Sequence, residues 1–116
     1  LKTELSKLNI FSFLNYSPNY YNAYYRFNFL FNPKYQTNKL SRNILLKELG
    51  PKIDIREGSC PEIYNEKYFK MNYSFFCPNA NYIGKYALSL QVDQTIKRES
   101  LSNTINILKN FIYKNH

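Results

Sequence analysis

Few residues in this chain could do chemistry, and they are scattered. The single histidine, His116, ends the sequence, and the two cysteines, Cys60 and Cys77, lie 17 positions apart with no CxxC pair. Zinc needs four clustered ligands, so this set predicts no metal site. A disulfide between them would suit a secreted chain, which the basic composition argues against. Both cysteines are therefore expected to be reduced, small apolar side chains. No carboxylates pair on a shared face; Asp93 closes a strand and Glu48 lies near a helix end, where solvation or local ion pairing accounts for them. Phosphate-cradling GxxxxGK[ST] and GxGxxG loops are absent. These residues predict no catalysis, no cofactor and no small-molecule substrate.

Binding a polyanion asks for less: cations for phosphates and flat rings for bases or sugars. Sixteen Lys plus Arg against eight Asp plus Glu leave a net charge of +8. Lys34, Lys39, Arg42 and Lys47 fall on or near the first predicted helix of the main domain. Lys52 and Arg56 flank the next strand, and Lys67, Lys70 and Lys85 line a predicted hairpin. Together these nine form the expected RNA-binding set. Rings make up 18% of residues, as 12 Tyr and 9 Phe, but an RNP1-like string is missing and strand aromatics more often serve the core.

Charge excludes an acidic activation segment, and no apolar run approaches the roughly 18 residues of a membrane span. Asn, Lys and Tyr are abundant and Arg is scarce, a bias of A/T-rich genomes such as those of organelles and protists. Residues 1–20 show neither a secretory signal nor an Arg-rich presequence, so import with trimming or synthesis inside the organelle is expected.

The elements that must position these residues follow from periodicity. Residues 1–22 form a predicted extension with a short amphipathic helix, and 23–116 form the domain. Tyr25, Phe27, Phe29 and Phe31 alternate with Arg26, Asn28 and Leu30 as a strand. Thr37 or Asn38 is the predicted cap of a helix carrying Leu40, Ile44, Leu45 and Leu49, which Gly50-Pro51 ends. Ile53 and Ile55 give a short strand. Odd residues Phe69 to Cys77, a turn at Pro78-Asn79-Ala80-Asn81 and a return strand Tyr86–Val92 predict a hairpin over 67–92. Ser100 is the predicted cap of a last amphipathic helix with Leu101, Ile105, Leu108 and Ile112. The order β-α-β-β-α predicts an α+β, ferredoxin-like (split β-α-β) sandwich with an extended hairpin.

This layout, from about Tyr24 to Phe111, resembles the S-ten family of small-subunit ribosomal proteins. The resemblance rests on Tyr25-Arg26-Phe27-Asn28-Phe29, Ile53-Asp54-Ile55-Arg56, the kink Gly58-Ser59-Cys60-Pro61, Glu66-Lys67-Tyr68-Phe69 and Thr104-Ile105-Asn106-Ile107-Leu108. It departs from the family at Ser89, Gln91 and Asp93, where an Arg-x-His-x-Arg pattern is usual, and at the short end after Ile112. What the resemblance implies is a non-catalytic part of the subunit head in a mitochondrial-matrix ribosome. Its partners would be small-subunit rRNA and neighbouring ribosomal proteins, with no membrane contact. The hairpin would insert through an uncharged tip that includes Pro78, Asn79, Asn81 and Tyr82. The alternative is a soluble structural accessory subunit of another large organellar complex. For the cysteines the test is direct: changing Cys60 and Cys77 to Ser should cost at most about 1–3 kcal/mol of packing, with no zinc released and no mobility shift on reduction.

Overall fold

In the computed structural model, which describes residues 1–15, 17–21, 23–58, 62–72 and 74–116, nine regular elements follow one another. They are α1 (Lys2–Ser6), β1 (Phe11–Ser12), β2 (Arg26–Phe31), α2 (Arg42–Leu49), β3 (Ile55–Glu57), α3 (Lys67–Asn72), α4 (Pro78–Tyr86), β4 (Ala87–Gln91) and α5 (Arg98–Asn115). The four strands make one sheet in the order β1-β2-β4-β3, each neighbouring pair antiparallel. The molecule is an α+β protein. Two 3-10 turns, Pro33–Tyr35 and Ile63–Asn65, interrupt the connections. No helix among the described residues is long and apolar enough to cross a membrane.

Alternation in β2 sends Phe27, Phe29 and Phe31 to one face, opposite Leu90 and Leu88 of β4, and Ile55 of β3 joins Leu90 there. Leu45 and Leu49 of α2 and Leu108 and Ile112 of α5 belong to the same buried cluster. The first residues enter it too, through Leu5, Leu8, Ile10 and Phe11. Phe11 meets Phe29 edge-on with ring centroids 4.9 Å apart, the T-shaped geometry that ring quadrupoles favour. Asn9, at φ 53°, makes the turn between α1 and β1 in a conformation Asn tolerates better than most residues.

The expected β-α-β-β-α order is not reproduced, because the hairpin over 67–92 does not form. Lys67–Asn72 and Pro78–Tyr86 are helices, and only Ala87–Gln91 of the return strand is extended. The reason lies in the sheet. Strand β4 has β2 on one edge and β3 on the other, which leaves no edge for a partner from 67–77. Without that partner Met71 and Phe75 have no buried face and are 75% and 65% exposed. Pro78 starts α4 at its first turn, where its missing N–H costs nothing, and Tyr82 packs on Tyr86 one turn later at 4.9 Å. Tyr73 of the expected strand lies outside the described residues.

Helix caps move as well. Ser41, not Thr37 or Asn38, caps α2, its hydroxyl accepting the Ile44 N–H at 3.3 Å. Thr37 instead accepts from Leu40 N–H at 3.0 Å, closing a turn. Helix α5 starts at Arg98, before the expected cap Ser100.

Glu4 ties α1 to α5: its carboxylate accepts from Lys109 Nζ and from Lys7 Nζ, both at 2.6 Å. Those bonds, Lys109 foremost, hold its pKa at about 2 instead of the ordinary 4.5. A depressed folded pKa stabilises the fold above the unfolded value and loses that stabilisation as pH falls toward the folded one. Glu4→Gln should therefore lower Tm near neutral pH, and the gap to the parent should close between about pH 4.5 and 2, followed by circular dichroism melts. Phe29→Ala should cost about 3–5 kcal/mol in urea unfolding, since it empties the centre of the buried face.

Candidate anion-binding cleft

On the face of the sheet opposite the buried phenylalanines, cross-strand register gathers a polar row. Asn28 of β2, Ser89 of β4 and Arg56 of β3 lie side by side. In the next row Arg26 faces Gln91. Asp54, two residues before Arg56, shares that face by the same period of two that buries Ile53 and Ile55. Arg26, Asn28, Arg56 and Ser89, with Tyr25, Glu57 and Gly58, surround an open cleft of about 500 Å³; Asp54 and Gln91 do not line it.

Two guanidiniums that line the cleft share one carboxylate, Asp54. Arg56 Nε donates to Asp54 Oδ1 at 2.5 Å, and Arg26 Nη2 donates to Asp54 Oδ2 at 3.4 Å. Arg26 Nη1 reaches Ser89 Oγ at 3.5 Å, the limit of a hydrogen bond. Ser89 is only 1% exposed, and this long contact uses its oxygen as acceptor, leaving the O–H free to donate. Arg26, Arg56 and Asp54 together carry a net charge of +1. Glu57, at the rim, is neutralised by Arg42 at 3.3 Å. What such an arrangement can do is hold a small anion between planar donor forks.

The polar cleft adjoins an apolar one of about 220 Å³ lined by Leu14, Phe29, Leu30, Ile83 and Ala87, with Asn28 and Gly58 common to both. Helix α4 supplies Ile83 and is pinned from below by Glu62. That carboxylate accepts from Asn81 Nδ2 and Tyr64 Oη, both at 2.9 Å, and these bonds hold its pKa below the ordinary value. Burial and the neighbouring Glu62 charge push the Tyr64 phenol up.

The expected RNA-binding residues lie on several elements. Lys34, Lys39, Lys47, Lys52, Lys67, Lys70 and Lys85 are exposed and distributed over the 3-10 turn, α2, α3, α4 and the loops. Arg42 is withdrawn from solvent, with 11% of its side chain exposed; it donates to Ala87 O at 3.2 Å and pairs with Glu57. Only Arg56 of that set lines the cleft. The expected tip residues Pro78, Asn79, Asn81 and Tyr82 lie in α4, and Asn81 is spent on Glu62. Cys77 is a free, half-buried thiol; Cys60 lies outside the described residues, as do Ser59 and Pro61 of the expected kink.

No family model and no curated protein matches the chain. Its fold matches the X-ray structure of the aminotransferase from Psychrobacter cryohalolentis at a TM-score of 0.83 and 19% identity. The match covers 99% of this chain and 31% of that one, so the chain spans about a third of the length of its structural neighbour. That likeness replaces the S-ten resemblance. The readings that hung on it give way: a constituent of a mitochondrial ribosome, rRNA binding and a role in translation. So does the accessory-subunit alternative. The expectation of a non-enzyme is corrected too, since this fold occurs within an enzyme.

Sequence reasoning passed over Arg26 and Ser89 as cleft residues and Asp54 as the carboxylate paired with Arg26 and Arg56. Their alternation was visible, but their meeting depends on β4 lying between β2 and β3. Gly58 shows how tightly the cleft is built: a Cβ there would lie 2.6 Å from Ala87 Cβ. Gly58→Val should push the end of β3 from β4 and cost about 1–3 kcal/mol, read from urea midpoints.

Proposed function

We propose that this chain is the carboxylate-recognising α+β part of an enzyme that transfers amino groups. The observation that carries the reading is the likeness of 99% of the chain to part of an aminotransferase. The cleft supports it independently, because paired guanidiniums with a hydroxyl and an amide match the planar, two-oxygen shape of a carboxylate. Amino acids and 2-oxo acids carry that group beside the carbon that gains or loses nitrogen.

Amino-group chemistry commonly draws on pyridoxal phosphate, a carbonyl cofactor held by a lysine as a Schiff base. The lysines of this chain do not fit that role. Eleven of the twelve are exposed, the half-buried Lys109 is taken by Glu4, and none lines the cleft. The reading therefore gives these residues recognition and orientation of the substrate anion, and no bond-making step.

Pyruvate titrated into the protein and followed by amide and side-chain NMR is the test. Shifts should concentrate at Asn28, Arg56, Gly58 and Ser89, and Arg26→Ala with Arg56→Ala should weaken binding at least about tenfold, the loss of two charge-assisted contacts. Shifts spread over the exposed lysines, or none at all, would overturn the reading.

A further inference from the structure

Resting on that carboxylate reading, we propose that Asp54 sets the charge of the ligand: it makes the cleft a site for monoanions and turns dianions away. Two arginines without a counter-charge would favour a doubly charged group such as sulfate or a phosphate dianion. Here Asp54 lies between them, one oxygen on Arg56 Nε at 2.5 Å and the other near Arg26 Nη2 at 3.4 Å. The remaining charge of +1 balances one carboxylate. A second negative charge on the ligand would find no cation of its own, because Arg42 is already matched by Glu57.

Asp54 achieves this without filling the donor set. It occupies the Nε edge of Arg56, and the two Nη groups of that fork have no partner among the described residues. Its hold on Arg26 is long, and among the described residues Arg26 Nη1 has only the similarly long contact with Ser89. An arriving carboxylate therefore has guanidinium N–H groups to accept from while Asp54 stays in place. The arrangement follows from the strand: Asp54 and Arg56 are i and i+2, so the acid and its partner share one face, and the register across β4 adds Arg26. Separations of this size in a half-exposed cleft make the net charge of the site felt by the ligand, and added salt weakens the effect.

Affinities of pyruvate and sulfate are measured at one fixed ionic strength by NMR titration of the whole chain. The parent should bind pyruvate more tightly than sulfate. In Asp54→Asn, sulfate affinity should rise at least about tenfold and pyruvate affinity by clearly less, reversing the order. The double variant Asp54→Asn with Arg56→Gln restores a site charge of +1, and should return the preference to pyruvate although its absolute affinities fall. Asp54→Ser removes the same charge with a smaller side chain and is read in the same way if Asp54→Asn does not fold. A pyruvate-to-sulfate ratio unchanged in Asp54→Asn, or one that the double variant does not return toward pyruvate, with pyruvate still bound in the cleft, overturns the role of Asp54 alone. Absence of both ligands from the cleft in every folded form overturns the carboxylate reading and this inference with it.

Discussion

The pairing of β2 with β4 is the interaction on which both halves of this molecule depend. Five residue pairs, Arg26 with Gln91 through Leu30 with Ala87, fix one register. That register puts Phe27 beside Leu90 and Phe29 beside Leu88 on the buried face, and Asn28 beside Ser89 on the other. A slip of one residue would turn every side chain over, sending the phenylalanines into the cleft and the arginine into the core. Several kcal/mol of apolar burial per phenylalanine stand against such a slip. The apolar face thereby holds the polar residues in place more firmly than their own long hydrogen bonds could.

Position within the sheet explains why the weak-looking contacts of the cleft suffice. Surface ion pairs contribute little, largely because two long side chains must be ordered to make them. Here the ordering comes partly from the backbone. Asp54 and Arg56 share a face at a spacing fixed by the strand, Arg26 is only 26% exposed at its side chain, and Ser89 is buried between them. The charges are held near one another by β3 and β2 on either side of β4, so a ligand meets donors already gathered.

Periodicity was legible in the sequence wherever burial enforces it. The Arg26–Phe31 strand, the α2 stripe with Leu45 and Leu49, Ile53 and Ile55, Leu88 and Leu90, and the α5 residues Leu108 and Ile112 all answer to one core. Between 67 and 86 nothing enforces the pattern. In a chain with 21 Tyr and Phe, alternation of rings arises without a buried face to cause it, and Phe75 and Phe76 stay mostly exposed, both edge-on to Tyr64. Pro78 was ambiguous for a physical reason: it suits a turn and the first position of a helix equally, and only the absent partner strand decides.

The cleft was half legible for a related reason. Arg56 stood out as a cation, whereas Ser89 offered nothing to mark it as a residue beside two guanidiniums. The sheet order gives that serine its place. Ser89 lies between Asn28 and Arg56, where an arginine would add a third cation to the two already facing Asp54. A small neutral hydroxyl at that point keeps the charge low and leaves room between the guanidiniums. A larger or charged residue at 89 would disturb the arrangement in which Arg26 and Arg56 share the Asp54 carboxylate.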